Sequence, residues 1–134
     1  MHYEKIAGKK ARHGETIAVD FDGVLNSYTT QVGLDKQWLL PDPPVKGALE
    51  WVNEMLEHFN IVISTCRASF PGGKTAVEMW LKKHGFPELP VTGEKPIASA
   101  YIDDRAILFD NTGFPSIGLV KDFKPWNRRS ENNG

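Results

Sequence analysis

Two carboxylates close a buried run in the segment Thr16-Ile17-Ala18-Val19-Asp20-Phe21-Asp22-Gly23-Val24-Leu25. Residues 17–19 are apolar or β-branched, so the run reads as a buried strand. Asp20 and Asp22 then fall at its carboxyl end, where open α/β sheets place their ligand sites. Gly23 permits a sharp turn there because glycine tolerates positive φ. Acids at the tip of a buried strand are costly unless a cation or a substrate group compensates them. The pattern therefore implies a metal site whose carboxylate can serve as a nucleophile.

The rest of the chain supplies matching strand tips. A stripe of Val45, Ala48, Leu49, Val52, Met55, Leu56 and Phe59 predicts a first helix, opened by Asp42-Pro43-Pro44 and ended near Asn60. Ile61-Val62-Ile63-Ser64-Thr65 is continuous and β-branched, as in a strand buried on both faces. A second helix is expected from the capping box Thr75 to Glu78 through to Gly85. A small strand near 89–91 and another over 100–103 follow, with 107–109 as a further edge strand. Residues 23–44, rich in glycine and proline, read as an ordered flap over the first strand's tip. Strands alternating with helices predict a Rossmann-like, doubly wound parallel sheet. Residues 16–120 form one catalytic domain in this reading, between an N-terminal segment (1–15) and a polar C-terminal tail (121–134).

Composition narrows the function classes. The formal net charge of the 134 residues is -1, against a domain built for broad electrostatic binding of nucleic acid. Basic residues near each end, Lys5 to Arg12 and Lys121 to Arg129, read as solvated or docked termini. The one cysteine, Cys66, excludes an internal disulfide and reads as a small buried hydrophobe. No run approaches the ~18 apolar residues of a membrane span, and no signal-peptide core is seen, so a cytoplasmic location and no membrane partner are expected. The four histidines lack metal-ligand spacing.

The predicted topology brings Asp20, Asp22, Thr65, Arg67, Asp103 and Asp104 to one sheet edge. So many acids in one crevice raise one another's pKa. Mg²⁺, which takes oxygen ligands and keeps positions open for a phosphate, resolves the conflict. Asp20 can then attack phosphorus and Asp22 can move protons. Thr65 can hydrogen-bond a phosphoryl oxygen, while Lys95, Arg67 and Arg105 can offset its charge.

These residues match a known pattern. The chain resembles the haloacid dehalogenase-like (HAD) superfamily of phosphohydrolases from Thr16 to about Phe109. Its four motifs are present in order: Asp20-Phe21-Asp22-Gly23-Val24, the strand ending in Ser64-Thr65, Lys95-Pro96, and Tyr101-Ile102-Asp103-Asp104. The resemblance implies an aspartyl-phosphate on Asp20, with Asp22 as acid and base. It implies a metal held by the Asp20 carboxylate, the Asp22 backbone carbonyl and an acid of the fourth motif, with Asp104 preferred to Asp103. Thr65 is preferred to Ser64 for the second motif. Thr65-Cys66-Arg67 and Asp103-Asp104-Arg105 are also similar to the 3′-phosphatase domain of phage polynucleotide kinase, although no kinase P-loop pattern occurs in the chain.

Neither the gap over residues 24–44 nor that over 68–94 has room for the cap domain that many family members insert, so an open site is expected. An open site suits a large phosphate ester, a nucleotide or nucleic-acid end among the candidates, or a small ester covered by a second copy of the chain. Two other functions compete. A receiver-type phosphoacceptor uses similar groups, but carries its adjacent acids after the first strand and the phosphorylated one later. A non-hydrolysing binder of phosphorylated ligands would not need the full motif set.

Overall fold

The computed structural model describes residues 14–129, and the basic segment read in residues 1–13 lies outside the described residues. Strands β1 (Thr16–Asp20), β2 (Asn60–Ser64), β3 (Val91–Thr92) and β4 (Ala100–Ile102) form one all-parallel sheet in the order β3-β2-β1-β4. Helix α1 (Ala48–Met55) links β1 to β2, and α2 (Gly73–Lys83) links β2 to β3. This is an α/β architecture. β1 and β2 are paired on both sides, which is why their apolar runs are continuous rather than alternating.

Side-chain alternation divides the two central strands between the faces of the sheet. Ile17, Val19, Ile61 and Ile63 join the main core with Val52 of α1 and Val77, Trp80 and Leu81 of α2. Phe21, just past β1, meets Trp80 edge to face at 4.9 Å and 85°. Full burial of each such aliphatic or aromatic side chain contributes roughly 1.5–3 kcal/mol. Ala18 and Val62 are buried outside that cluster. Asp20 and Ser64 share their parity and are register partners.

After β3 the chain returns past β2 and pairs on the far side of β1 as β4. The strand order reverses at the β1/β4 boundary, and ligands collect at such a reversal beyond the carboxyl ends of the strands. Asp20 ends β1, and Asp103 follows β4.

Several elements differ from expectation. Helix α1 is shorter than its apolar stripe. It starts after Gly47, at φ 85°, so Asp42 does not cap it. Instead the buried Asp42 carboxylate accepts hydrogen bonds from the Thr29 hydroxyl, the Thr30 hydroxyl and the Thr30 N–H, at 2.8–3.0 Å. Its carbonyl accepts from Trp80 Nε1 at 3.0 Å, which ties the flap to α2. Helix α2 starts two residues before Thr75, with Gly72 at its cap and no side-chain cap bond, so the capping box is not used. Close approach decides that start, since a Cβ at Gly73 would stand 1.9 Å from the Arg67 carbonyl oxygen. The small strand is Val91–Thr92 rather than 89–91.

Residues 107–109 form no strand. The Asp103 carboxylate accepts the Arg105 N–H at 2.8 Å, turning the chain directly after β4. Leu108 is 88% exposed and Phe114 87%. The C-terminal stretch is not a plain tail: it carries α3 (Ile117–Asp122) and α4 (Trp126–Arg129). Among the described residues no helix is long and apolar enough to cross a membrane.

Candidate active site

β1 and β4 deliver three carboxylates to one place. Asp20, Asp103 and Asp104 each offer an oxygen within 4.8 Å of the others. Both carboxylate oxygens of Asp104 are buried, and among the described residues no N–H or hydroxyl group donates to them; the carboxyl of Asp20 is their close contact. Asp103 is exposed. Asp20 Oδ1 accepts the Phe21 N–H at 2.8 Å. Burial pushes the Asp20 carboxyl up to about 8; the Phe21 N–H opposes the rise, and the Asp103 and Asp104 carboxylates add to it. Burial likewise raises Asp104, with Asp103 adding to the rise while the Asp20 contact and the Arg105 charge oppose it. The cluster holds more negative charge than its surroundings compensate.

Gly23 makes the crowding possible. It sits at φ 83°, and a Cβ there would lie 2.1 Å from Asp104 Oδ2. The turn it opens is closed by Gly23 N–H donating to the Asn26 carbonyl at 2.7 Å. Trp126 Nε1 of α4 donates to the Gly23 carbonyl, so the C-terminal segment buttresses this loop from outside.

Asp22 is held apart from the three acids. Its Oδ2 pairs with Arg67 Nε at 2.7 Å, and its Oδ1 accepts from Asn26 Nδ2 at 2.9 Å. Arg67 is 1% exposed, and its Nη1 donates to the carbonyls of Gln37 and Leu39 in the flap at 2.8 and 3.2 Å. The candidate substrate arginine thus spends these donors on Asp22 and the flap. Asn26 escaped the sequence reading. Its only signal there was its spacing of four residues from Asp22.

Lys95 shares a cavity of about 400 Å³ with Asp20, Ser64, Tyr101 and Asp103. Its ammonium stands 4.8 Å from the Tyr101 ring centroid, and the Tyr101 hydroxyl donates to the Pro96 carbonyl at 2.7 Å. Ser64 lines that cavity and Thr65 does not. Thr65 is buried, and its hydroxyl oxygen accepts the Arg67 N–H at 3.2 Å, capping the short 3₁₀ turn Cys66–Ser69. Cys66 is exposed rather than buried, because that turn swings its side chain outward. Arg105 is exposed beside Asp104. A larger cavity of about 510 Å³, between α2 and the approach to β3, contains none of these residues.

The donor set fits a hard dication. Three carboxylates converge, two of their oxygens are buried with no N–H or hydroxyl donor among the described residues, and no soft ligand is present in the cluster. Compared with protein-family models, curated proteins and solved structures, the chain gives no match in any of the three.

Proposed function

We propose that the chain is a Mg²⁺-dependent phosphomonoester hydrolase of the HAD-like type, without a cap domain, working through an aspartyl-phosphate on Asp20. One observation carries the reading. The donor-less, buried oxygens of Asp104 stand beside Asp20 and Asp103 at the reversal point of a parallel sheet. Such a carboxylate is costly to bury alone and well matched to a dication. Asp20, Asp104 and Asp103 would hold the ion. When bound, Mg²⁺ offsets the charge of the acids and of the phosphoryl oxygens.

The residues then divide the work. A carboxylate oxygen of Asp20 attacks phosphorus, and the bond from phosphorus to the ester oxygen breaks. Asp22, in the proton-bearing state that the second half of the cycle regenerates, gives that oxygen its proton. In the second half a water attacks the aspartyl-phosphate, Asp22 takes its proton, and the phosphorus–oxygen bond to Asp20 breaks to release inorganic phosphate. Arg67 and Asn26 orient the Asp22 carboxylate from its two oxygens. Lys95 brings positive charge into the cavity that Asp20 lines. The substrate class is a phosphorylated molecule large enough to need no cap, a nucleotide or nucleic-acid end included.

The test is hydrolysis of p-nitrophenyl phosphate with Mg²⁺ by the wild type and by Asp20→Asn. The variant is expected to lose activity by about 10³-fold or more, the scale of losing a covalent nucleophile. Undiminished activity in the variant overturns the mechanism. A wild type inactive on a broad phosphate panel overturns the assignment.

A further inference from the structure

Beside the acid cluster the flap and the C-terminal segment build a second, oppositely charged feature. Tyr28, in the flap, adopts φ 53°, a left-handed conformation that L side chains seldom take. Strain of that kind costs about 1–3 kcal/mol and gathers at functional sites. The Tyr28 carbonyl accepts from Asn127 Nδ2 at 3.2 Å, and the Ser27 carbonyl accepts from the same group at 3.4 Å. Three guanidiniums surround the Tyr28 ring: Arg128 at 5.5 Å, Arg67 at 5.7 Å and Arg105 at 6.0 Å from its centroid.

Like charges gathered on one ring repel. Attraction to the ring's π face offsets about 0.5–1 kcal/mol of this for each exposed cation. Arg67 is neutralised by Asp22. Arg128 is held by neutral acceptors. Its Nη1 donates to the Asn127 carbonyl, and the Gln31 amide oxygen, in the orientation that satisfies its neighbours, accepts from its Nε and Nη2 at 2.8 and 2.6 Å. Arg128 is half-buried, so its direction is set in advance. Arg105 and Arg128, with Lys124 and Gln31, line one cavity of about 470 Å³. Among the described residues, no carboxylate lines that cavity. The Tyr28 ring that Arg105 and Arg128 face is faced from another side of the site by Arg67, which pairs with Asp22.

We propose that Arg105 and Arg128, gathered by Tyr28 and the docked C-terminal segment, bind a second phosphate of the substrate, so that the preferred ligand is a bisphosphate. The proposal rests on the phosphate-ester reading of the Asp20 site. The same chemistry would be met by a nucleoside bisphosphate and by a sugar bisphosphate. Arg128 spends Nε and Nη2 on Gln31 and the Tyr28 carbonyl and one Nη1 proton on Asn127, so it brings a fixed positive charge and its second Nη1 proton, while the exposed Arg105 brings its planar fork of donors.

Calorimetric titration of the full chain with Mg²⁺ tests it, in the Asp20→Asn background so that ligands are not consumed. The probes are adenosine 3′,5′-bisphosphate against adenosine 3′-monophosphate, and fructose 1,6-bisphosphate against fructose 6-phosphate. In at least one pair the bisphosphate is expected to bind about 10- to 100-fold more tightly, the scale of one or two charge-assisted hydrogen bonds. The pair that shows the preference identifies the source. Arg128→Gln and the exposed Arg105→Gln are each expected to shrink that ratio several-fold. Circular dichroism shows whether the C-terminal segment stays folded in Arg128→Gln, and Arg105→Gln carries the test if it does not. Equal affinities within both pairs, or a ratio unchanged in Arg105→Gln, overturn the proposal. Wild-type turnover of p-nitrophenyl phosphate reports separately on the Asp20 reading, so the two can fail independently.

Discussion

Replacing Arg67 with methionine asks whether one buried guanidinium holds Asp22 and the flap together. The arginine is 1% exposed, and Nε and Nη1 make the three bonds to Asp22, Gln37 and Leu39. Methionine fills much of the space and removes every donor. Taking away one partner of a buried ion pair costs about 3–5 kcal/mol. The Asp22 side chain keeps 19% exposure, and water reaching it brings the electrostatic loss toward the lower end of that range. The Gln37 carbonyl loses its donor at a buried residue, for about 1 kcal/mol more. Leu39 is more open, and its carbonyl can turn to water. The expected loss is about 4 kcal/mol, a large share of the 5–15 kcal/mol typical of a domain. Urea unfolding of the wild type, R67M, D22N and the double variant measures it. Without the Asp22 charge the arginine matters less, so the double variant is expected to lose about 1–3 kcal/mol less than the two single losses added. A loss under about 1 kcal/mol for R67M, or additive single variants, would refute the reasoning.

Gly23→Ala separates stability from site geometry. The new Cβ forces the Asp104 carboxylate aside, and the positive φ adds about 1–2 kcal/mol of strain. A modest fall in unfolding free energy is expected alongside a loss of Mg²⁺ affinity of tenfold or more, read by titration calorimetry; unchanged affinity would show that the close approach is not needed. Asp42→Asn tests the flap anchor. Burial alone would raise Asp42, but hydrogen bonds from Thr30 and Thr29 outweigh it and hold its carboxyl below the ordinary range. A depressed folded pKa contributes stability that is full above the unfolded value of about 3.9 and is lost as pH falls through the folded one. The stability gap between wild type and D42N should therefore be flat above about pH 5 and narrow below about pH 4. A gap independent of pH across that interval would mean that the charge of Asp42 plays no part.

Local pattern made the chain's elements legible. β1 falls on Thr16–Asp20 as its apolar run predicts, and β2 is displaced by a single residue from 61–65. Strand–helix alternation was enough for a parallel sheet, because parallel neighbours require long crossovers. Boundaries set by close approach were not legible: the start of α2 depends on Gly73 lying against the Arg67 carbonyl, a contact with no local periodicity. Nor does a sequence show where a chain stops pairing, and 107–109 has strand composition but is turned away after β4 by the Asp103 hydrogen bond.

The acids themselves, Asp20, Asp22, Asp103 and Asp104, stand out in the sequence because carboxylates at the ends of apolar runs have few structural explanations. What each one faces is a matter of tertiary structure. Asp104 has its oxygens buried with no N–H or hydroxyl donor among the described residues while its neighbour Asp103 is exposed, a difference of one residue at a turn. Arg67 reaches Asp22 across 45 residues, and Trp126 reaches the Gly23 carbonyl across 103. Contacts over such separations depend on how strands are ordered and where the flap and C-terminal segment come to rest, which no repeating pattern along the chain encodes. Local pattern along the chain is enough to specify an acid-tipped parallel sheet. Only the packing of distant segments decided that Asp22 would be clasped by a buried arginine, and that two further arginines would gather at one tyrosine beside it.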